Sequence, residues 1–221
     1  MTTETLAPAP VAARDTVPFG ASAAIGGALA LAACNALTNW VLSQQTYETT
    51  DDMLEMIAAN RTVMLVADGL GFLAALLLVP GIWAVTQVLR ERTPVLAGIG
   101  GWLAASGYVG FMVLVIEGQV ALAVVEAGGD PGTYVDAMDN HGSLVQLAIY
   151  VVFGIGGLLG PLVLGIAMLR QRDHYPAWAG IALVLSPVVR MGGLALGIHV
   201  MPAVASLLMA LAFAVVMLRR R

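Results

Sequence analysis

Three ionisable side chains lie within apolar segments of this 221-residue sequence: Asp68, Glu117 and Arg190. A charge near the middle of a membrane-spanning helix costs roughly 2.5–3.5 kcal/mol on insertion scales, so such residues are usually kept for a function. A carboxyl group in an apolar site holds its proton more tightly and can act as an acid. An arginine there can pair with a carboxylate or bind a polar part of a ligand. The three residues therefore predict either proton chemistry or an ion pair that locks helices together.

The segments that position these residues are long and apolar enough to cross a bilayer. Hydrophobic residues make up 59% of the chain and charged residues 11%, against about 25% charged residues in a soluble domain. About 20 helical residues cross the hydrocarbon core. The sequence predicts an all-α, polytopic transmembrane bundle of about six spans, with five spans and a re-entrant segment as the alternative. A disordered tail, 1–17, precedes a single domain, 18–221, whose spans lie at about 18–42, 63–89, 95–124, 144–169, 177–198 and 200–218.

The basic residues indicate the orientation of the bundle. All ten are Arg, and eight are predicted on one side of the membrane: Arg14, Arg90, Arg92, Arg170, Arg172, Arg219, Arg220 and Arg221. Arginine-rich loops stay in the cytoplasm, so both termini are predicted to be cytoplasmic, in a bacterial plasma membrane. The opposite loops are acidic, with Glu48, Asp51, Asp52, Glu55, Glu126, Asp130, Asp136 and Asp139. This asymmetry and the net charge of −4 argue against a nucleic-acid partner.

Two stretches of the chain, 89–99 and 169–181, resemble each other. Each has a Leu-Arg-x-Arg turn, then a proline, then an Ala-Gly-Ile triplet. A duplicated two-helix hairpin would produce this similarity. The alternative is that basic turns and apolar spans have converged in composition.

Several polar and aromatic residues are expected beside the three charges, in the outer half of the bundle, about 8–12 Å below its surface by the helical rise. Lipid cannot satisfy polar groups, so their faces should converge on the interior. We expect one pocket with Glu117 and Asp68 as catalytic acids and these substrate-binding residues: Arg190, Asn39, Trp40, Phe72, Gln146, Tyr150 and His199. One carboxylate, preferably Asp68, should pair with Arg190, which leaves Glu117 to carry a proton.

No cofactor is expected, because the sequence has no HExxH, no CxxC and no glycine-rich phosphate loop followed by Lys. Asp136, Asp139 and His141 are interpreted as solvated loop residues, so no metal is expected either. The single cysteine excludes an internal disulfide.

Three functions are compatible with these residues. We prefer an integral-membrane enzyme that acts on an isoprenoid or lipid, in which a protonated carboxyl starts a cyclisation and the dry site protects the carbocation from water. The alternatives are a proton-coupled transporter or efflux and immunity protein, and a non-catalytic scaffold subunit. The expected partners are a hydrophobic small molecule or lipid substrate and the membrane lipids.

The acidic outer loops, the apolar spans and the turns at 89–99 and 169–181 resemble those of small, uncharacterised actinobacterial six-span membrane proteins. In size and in its intramembrane acids, although without a shared motif, the chain also resembles the integral-membrane terpene cyclases of indole-terpenoid pathways. That second resemblance implies that acidic residues start a cyclisation.

Overall fold

The structure is a computed structural model that describes residues 17–44 and 49–219. The tail predicted at 1–17 therefore lies almost wholly outside the described residues. These residues form helices and no strands, which confirms the all-α prediction. The helices are α1 (Val17–Leu42), α2 (Thr50–Ala59), α3 (Arg61–Arg90), α4 (Pro94–Glu126), α5 (Pro131–His141), α6 (Leu144–Leu169), α7 (Ala177–Ala195) and α8 (Met201–Leu218).

Six of the described helices, α1, α3, α4, α6, α7 and α8, are long and apolar enough to cross a membrane. The prediction of six spans is therefore confirmed. The last segment is not re-entrant, because α8 runs for 18 residues and packs along α7. The fifth span ends at Ala195 rather than at 198. Gly197 adopts a positive φ of 66° and the N–H of Ile198 bonds to the carbonyl of Gly193 at 2.8 Å, a glycine-ended helix terminus.

The six spans form a closed ring in chain order. Each span packs against the next one, and α8 returns to pack against α1. Successive spans run in opposite directions, so every contact around the ring is antiparallel. One end of the ring, here the arginine end, carries the turns 91–93 and 170–176 and the end of α8. The other end, here the cap end, carries α2, α5 and the turn 196–200.

The short helices α2 and α5 were not predicted, although both have clear start signals. Thr49 Oγ1 accepts a hydrogen bond from the N–H of Asp52 at 3.1 Å, and the Asp52 carboxylate accepts one from the N–H of Thr49 at 3.0 Å. This reciprocal pair is a capping box. Asp130 caps α5 by accepting from the N–H of Thr133 at 3.0 Å. The two acidic loops are therefore partly helical, and one acid in each, Asp52 and Asp130, takes part in capping its helix.

The main hydrophobic core fills the arginine half of the ring. Its largest fully buried side chains include Leu78, Ile82, Leu164, Leu183 and Phe213. The interior of the arginine half is therefore closed by apolar side chains. Fewer side chains are buried in the cap half, where the polar residues lie.

Glycines allow the spans to approach each other closely. A Cβ on Gly160 of α6 would lie 2.4 Å from the backbone nitrogen of Ala104 on α4, and a Cβ on Gly81 of α3 would lie 2.4 Å from the Cα of Ala24 on α1. Small residues at such crossings bring helix backbones into contact, which stabilises packing where no hydrophobic force acts between helices. These seams fix the rotation of each span, and so the direction in which its polar residues point.

The two similar turns contact each other at the arginine end. Gln171 is buried, and its Nε2 donates to the carbonyl of Leu89 at 3.0 Å and to Thr93 Oγ1 at 2.8 Å. The helices around the two similar stretches also follow the same order, a short helix, a span, a turn and a span. These are α2, α3 and α4 around the first stretch and α5, α6 and α7 around the second. This order is compatible with duplication, which stays a prediction.

The glycine seam between α4 and α6 can be tested with two matched substitutions on α6. Gly160→Ala and Gly154→Ala each raise helix propensity by about 1 kcal/mol, but a Cβ at Gly154 meets no atom within 4 Å. We expect Gly160→Ala to lower the free energy of unfolding by about 1–3 kcal/mol through overpacking, and Gly154→Ala to leave it unchanged or raise it. Unfolding followed by circular dichroism in detergent measures both. Equal effects would contradict the seam.

Candidate functional site

Helix α4 presents polar side chains on two opposite faces. Glu117 and Gln119 are two residues apart, about 200° around an α-helix, and residues at this spacing do not face each other. Gln119 points to α3 and Glu117 to α6. The two residues therefore take part in two separate polar clusters.

The first cluster lies in an open groove between α3 and α4. Gln119 Nε2 donates a hydrogen bond to Asp68 Oδ2. The groove has a volume of about 460 Å³, and apart from this pair its lining is apolar: Leu65, Gly69, Phe72, Val115, Ile116, Val120 and Ala123. Asp68 and Phe72, one helical turn apart on α3, both line this groove. A carboxyl group with one amide partner thus lies in an otherwise apolar groove.

The second cluster joins α4, α5 and α6 near the cap end. Tyr150 Oη donates to Glu117 Oε2 at 2.8 Å, and Gln146 Nε2 donates to Tyr150 Oη at 3.0 Å. Tyr134 Oη on α5 donates to the backbone carbonyl of Glu117 at 3.4 Å. Gln146 and Tyr150, four residues apart, share a face of α6. The polar partners of Glu117 come from α5 and α6 and not from its own helical face.

The third cluster surrounds Arg190 on α7. Arg190 Nη2 donates to Ser206 Oγ at 3.1 Å, and Asn35 Nδ2 donates to the same oxygen at 2.9 Å. Ser206 in turn donates to the carbonyl of Pro202 at 3.0 Å, and Asn39 Nδ2 donates to the carbonyl of Asn35 at 2.7 Å. These bonds join α1, α7 and α8 through neutral groups.

The predicted ion pair between Arg190 and Asp68 or Glu117 is wrong. Both carboxylates have other partners, and the salt bridge found within the described residues joins Arg61 to Glu126 at the cap end. The prediction of a single pocket for the three charges is also wrong. Asp68 lines the α3–α4 groove, Arg190 lines a separate small cavity, and Glu117 lines neither.

An aromatic cluster lies between the Asp68 groove and the Arg190 cavity. Tyr108, which lines the cavity, contacts Phe111 edge-on at 6.5 Å between ring centroids, and Phe111 stacks on Phe153 at 5.7 Å. The tip of Phe111 lies 3.5 Å from where a Cβ on Gly71 of α3 would be. The rings therefore fill the interior between α3, α4 and α6.

The remaining predicted residues lie apart from the two acids. Trp40 is 55% exposed on α1, so it does not cover a pocket, and its position suits a side chain that anchors the helix at a membrane interface. His199 lies half-buried in the turn 196–200, without a hydrogen bond to Asp68, Glu117 or Arg190 among the described residues. Sequence reasoning missed Gln119, Ser206 and Tyr134. Of these, Gln119 carried a usable signal, as an amide within an apolar span.

Comparison with known proteins gives no relative: no protein-family model, no curated protein and no solved structure matches the chain.

The Glu117 cluster can be tested through Tyr134, which lies outside the spans. Burial raises the pKa of Tyr134 above its ordinary value of about 10, and the nearby charge of Glu117 raises it further. The stability that Tyr134 contributes is therefore present below pH 10 and lost as the pH rises through its folded-state pKa. We expect Glu117→Gln to lower the pKa of Tyr134 partway, since burial remains.

The measurement is a tyrosinate absorbance titration. Subtracting the Tyr134→Phe curve isolates Tyr134 in the wild type, and the double variant Glu117→Gln, Tyr134→Phe does the same in the Glu117→Gln background. Glu91→Gln at the arginine end is the control. A Tyr134 curve that Glu117→Gln leaves unmoved would refute the contact.

Proposed function

We propose that the protein is a membrane-embedded enzyme that acts on a hydrophobic isoprenoid or lipid bound in the α3–α4 groove, with Asp68 as the acid. The observation that carries this proposal is the one carboxyl group in the apolar lining of a groove of about 460 Å³. Small-molecule sites are mostly apolar, have volumes of about 300–1,000 Å³ and contain a few placed polar groups. Leu65, Ile116 and Val120 along the groove are exposed, so a substrate enters from the lipid.

Asp68 would start the reaction as a general acid. The proton moves from its carboxyl oxygen to one carbon of an alkene, the π electrons form the new C–H bond, and the other carbon becomes a carbocation. A second alkene closes the ring. Loss of a proton from the neighbouring carbon to the Asp68 carboxylate then restores the acid. The sequence is an isomerisation with no net gain or loss of atoms, so it needs no cofactor.

The neighbours of Asp68 suit this chemistry. Gln119 donates to Oδ2, which leaves Oδ1 to carry the proton and holds the carboxyl group in one orientation. Phe72 lines the same groove one helical turn from Asp68, and aromatic faces attract cations. The apolar walls exclude water, which would otherwise quench the carbocation.

Asp68 rather than Glu117 is therefore the acid in this proposal. The Glu117 carboxylate is held by Tyr150 at 2.8 Å and does not line the groove. We assign Glu117 the role of joining α4 to α6 at the cap end. A transporter would need a path through the arginine half, which the main core fills.

The orientation in the membrane is part of the proposal. Arg90, Arg92, Arg170, Arg172 and Arg219 lie at the arginine end, whereas Arg61 lies at the cap end. Arginine-rich ends stay in the cytoplasm, so we place both termini in the cytoplasm of a bacterium, with the Asp68 groove in the outer half of its plasma membrane.

The proposed reaction is tested by incubating the wild type, Asp68→Asn and Glu117→Gln in detergent with polyprenyl alcohols and polyprenyl epoxides of several lengths. Products are separated by gas chromatography and identified by mass spectrometry, because a cyclised isomer has the mass of its substrate. We expect a cyclic isomer from the wild type, a loss of about 10²-fold or more in Asp68→Asn, since general acids contribute that much, and retained turnover in Glu117→Gln. Equal turnover in Asp68→Asn, or proton-dependent uptake into liposomes without turnover, would refute the proposal.

A further inference from the structure

Arg190 carries a positive charge inside α7 without an anionic partner among the described residues. A guanidinium has five N–H donors, and in the part of the chain that the structure describes its side chain bonds to Ser206 Oγ at 3.1 Å. No fully buried side-chain nitrogen or oxygen of these residues lacks a partner. Any guanidinium nitrogen that makes no bond can therefore be reached by a molecule the size of water.

The small cavity that Arg190 lines lies where two prolines interrupt their helices. Pro161 of α6 and Pro187 of α7 both line it. Because a proline has no N–H, the carbonyl four residues before it loses its usual donor. In α7 a side chain replaces this donor, since Ser186 Oγ donates to the carbonyl of Leu183 at 3.0 Å.

The equivalent carbonyl in α6 is that of Gly157, four residues before Pro161. The residue before this proline is Gly160, which has no side chain and cannot bond to the carbonyl as the serine does in α7. Gly157 lines the same cavity as Arg190. A carbonyl that needs a donor and a guanidinium that needs an acceptor therefore border one small space.

The cavity has the size and the polar groups that one water molecule requires. It gives the centre of a water about 10 Å³, which is enough for one water and too little for an organic ligand. Buried waters make about three hydrogen bonds. One water here can accept from Arg190 and donate to the Gly157 carbonyl and to Ser186 Oγ, whose own proton is used on α7. The Tyr108 hydroxyl, which donates to Met209 Sδ at 3.4 Å, keeps its oxygen as a further acceptor.

We propose that this cavity binds one structural water that joins the guanidinium of Arg190 to the Gly157 carbonyl freed by Pro161. Arginines within spans pair with acids or with backbone carbonyls, and ordered waters satisfy the backbone groups that prolines free there. The carbonyl dipole thus takes the place of the anion that Arg190 lacks, and the water joins α6 to α7. The site goes beyond the proposed reaction and needs neither Asp68 nor the groove.

The direct test is a crystal structure of the full chain, grown in a lipid mesophase, at a resolution that shows ordered waters. Ser186→Ala and Ser186→Val are a matched pair, because both lose the hydroxyl and only valine adds methyl groups that fill the cavity. We expect one water within hydrogen-bond distance of both Arg190 and the Gly157 carbonyl in the wild type and in Ser186→Ala, and its loss in Ser186→Val. A wild-type cavity without water, or a water that contacts only one of the two groups, would overturn the proposal.

The same water is measured in detergent solution by nuclear magnetic resonance of isotope-labelled arginine side chains. The signal that disappears in Arg190→Gln identifies Arg190. A bound water gives its guanidinium protons NOE and ROE cross peaks of opposite sign, whereas exchange with bulk water, expected for the exposed Arg61, gives the same sign. We expect the bound-water pattern for Arg190 in the wild type, and its absence would overturn the proposal. The wild-type results alone decide, so the test stands should a variant fail to fold, and no readout depends on turnover.

Discussion

A polar side chain within a membrane-spanning helix has no water to bond to, so the protein itself must supply its partner. For the three ionisable residues within the spans, a side-chain partner comes from another helix. Asp68 of α3 is held by Gln119 of α4, Glu117 of α4 by Tyr150 of α6, and Arg190 of α7 by Ser206 of α8. Each polar contact thus joins neighbours around the ring. These contacts fix the cap half, where the hydrophobic core is thin.

The arginine half is held differently. There the glycine seams bring backbones into contact, and large apolar side chains fill the centre of the ring. The tightly packed arginine half can therefore support the looser cap half, which contains polar groups and open space. The groove and the Arg190 cavity both belong to the looser half. A proton-active or ligand-binding residue there remains accessible without weakening the core.

Much of the fold could be predicted from the sequence, since length and apolar composition are enough to place six spans to within a few residues. The candidate site could be predicted only in part. Asp68 with Phe72, and Gln146 with Tyr150, share a helix, so their spacing showed that they lie together. Contacts between helices depend on the rotation of each span, which the glycine seams set and which spacing along one helix does not reveal. No sequence pattern indicated that Ser206 is the partner of Arg190, because a serine among small residues is typical of any helix seam.

The central structural claim is that the two intramembrane carboxylates lie on opposite sides of α4. Cys34 is the single cysteine of the chain, so Cys34→Ala provides a cysteine-free background for cross-linking with a short bifunctional thiol reagent. The account predicts efficient links in Asp68→Cys with Gln119→Cys and in Glu117→Cys with Tyr150→Cys, and none in Asp68→Cys with Glu117→Cys. An efficient link in the last pair, with none in the first two, would contradict it.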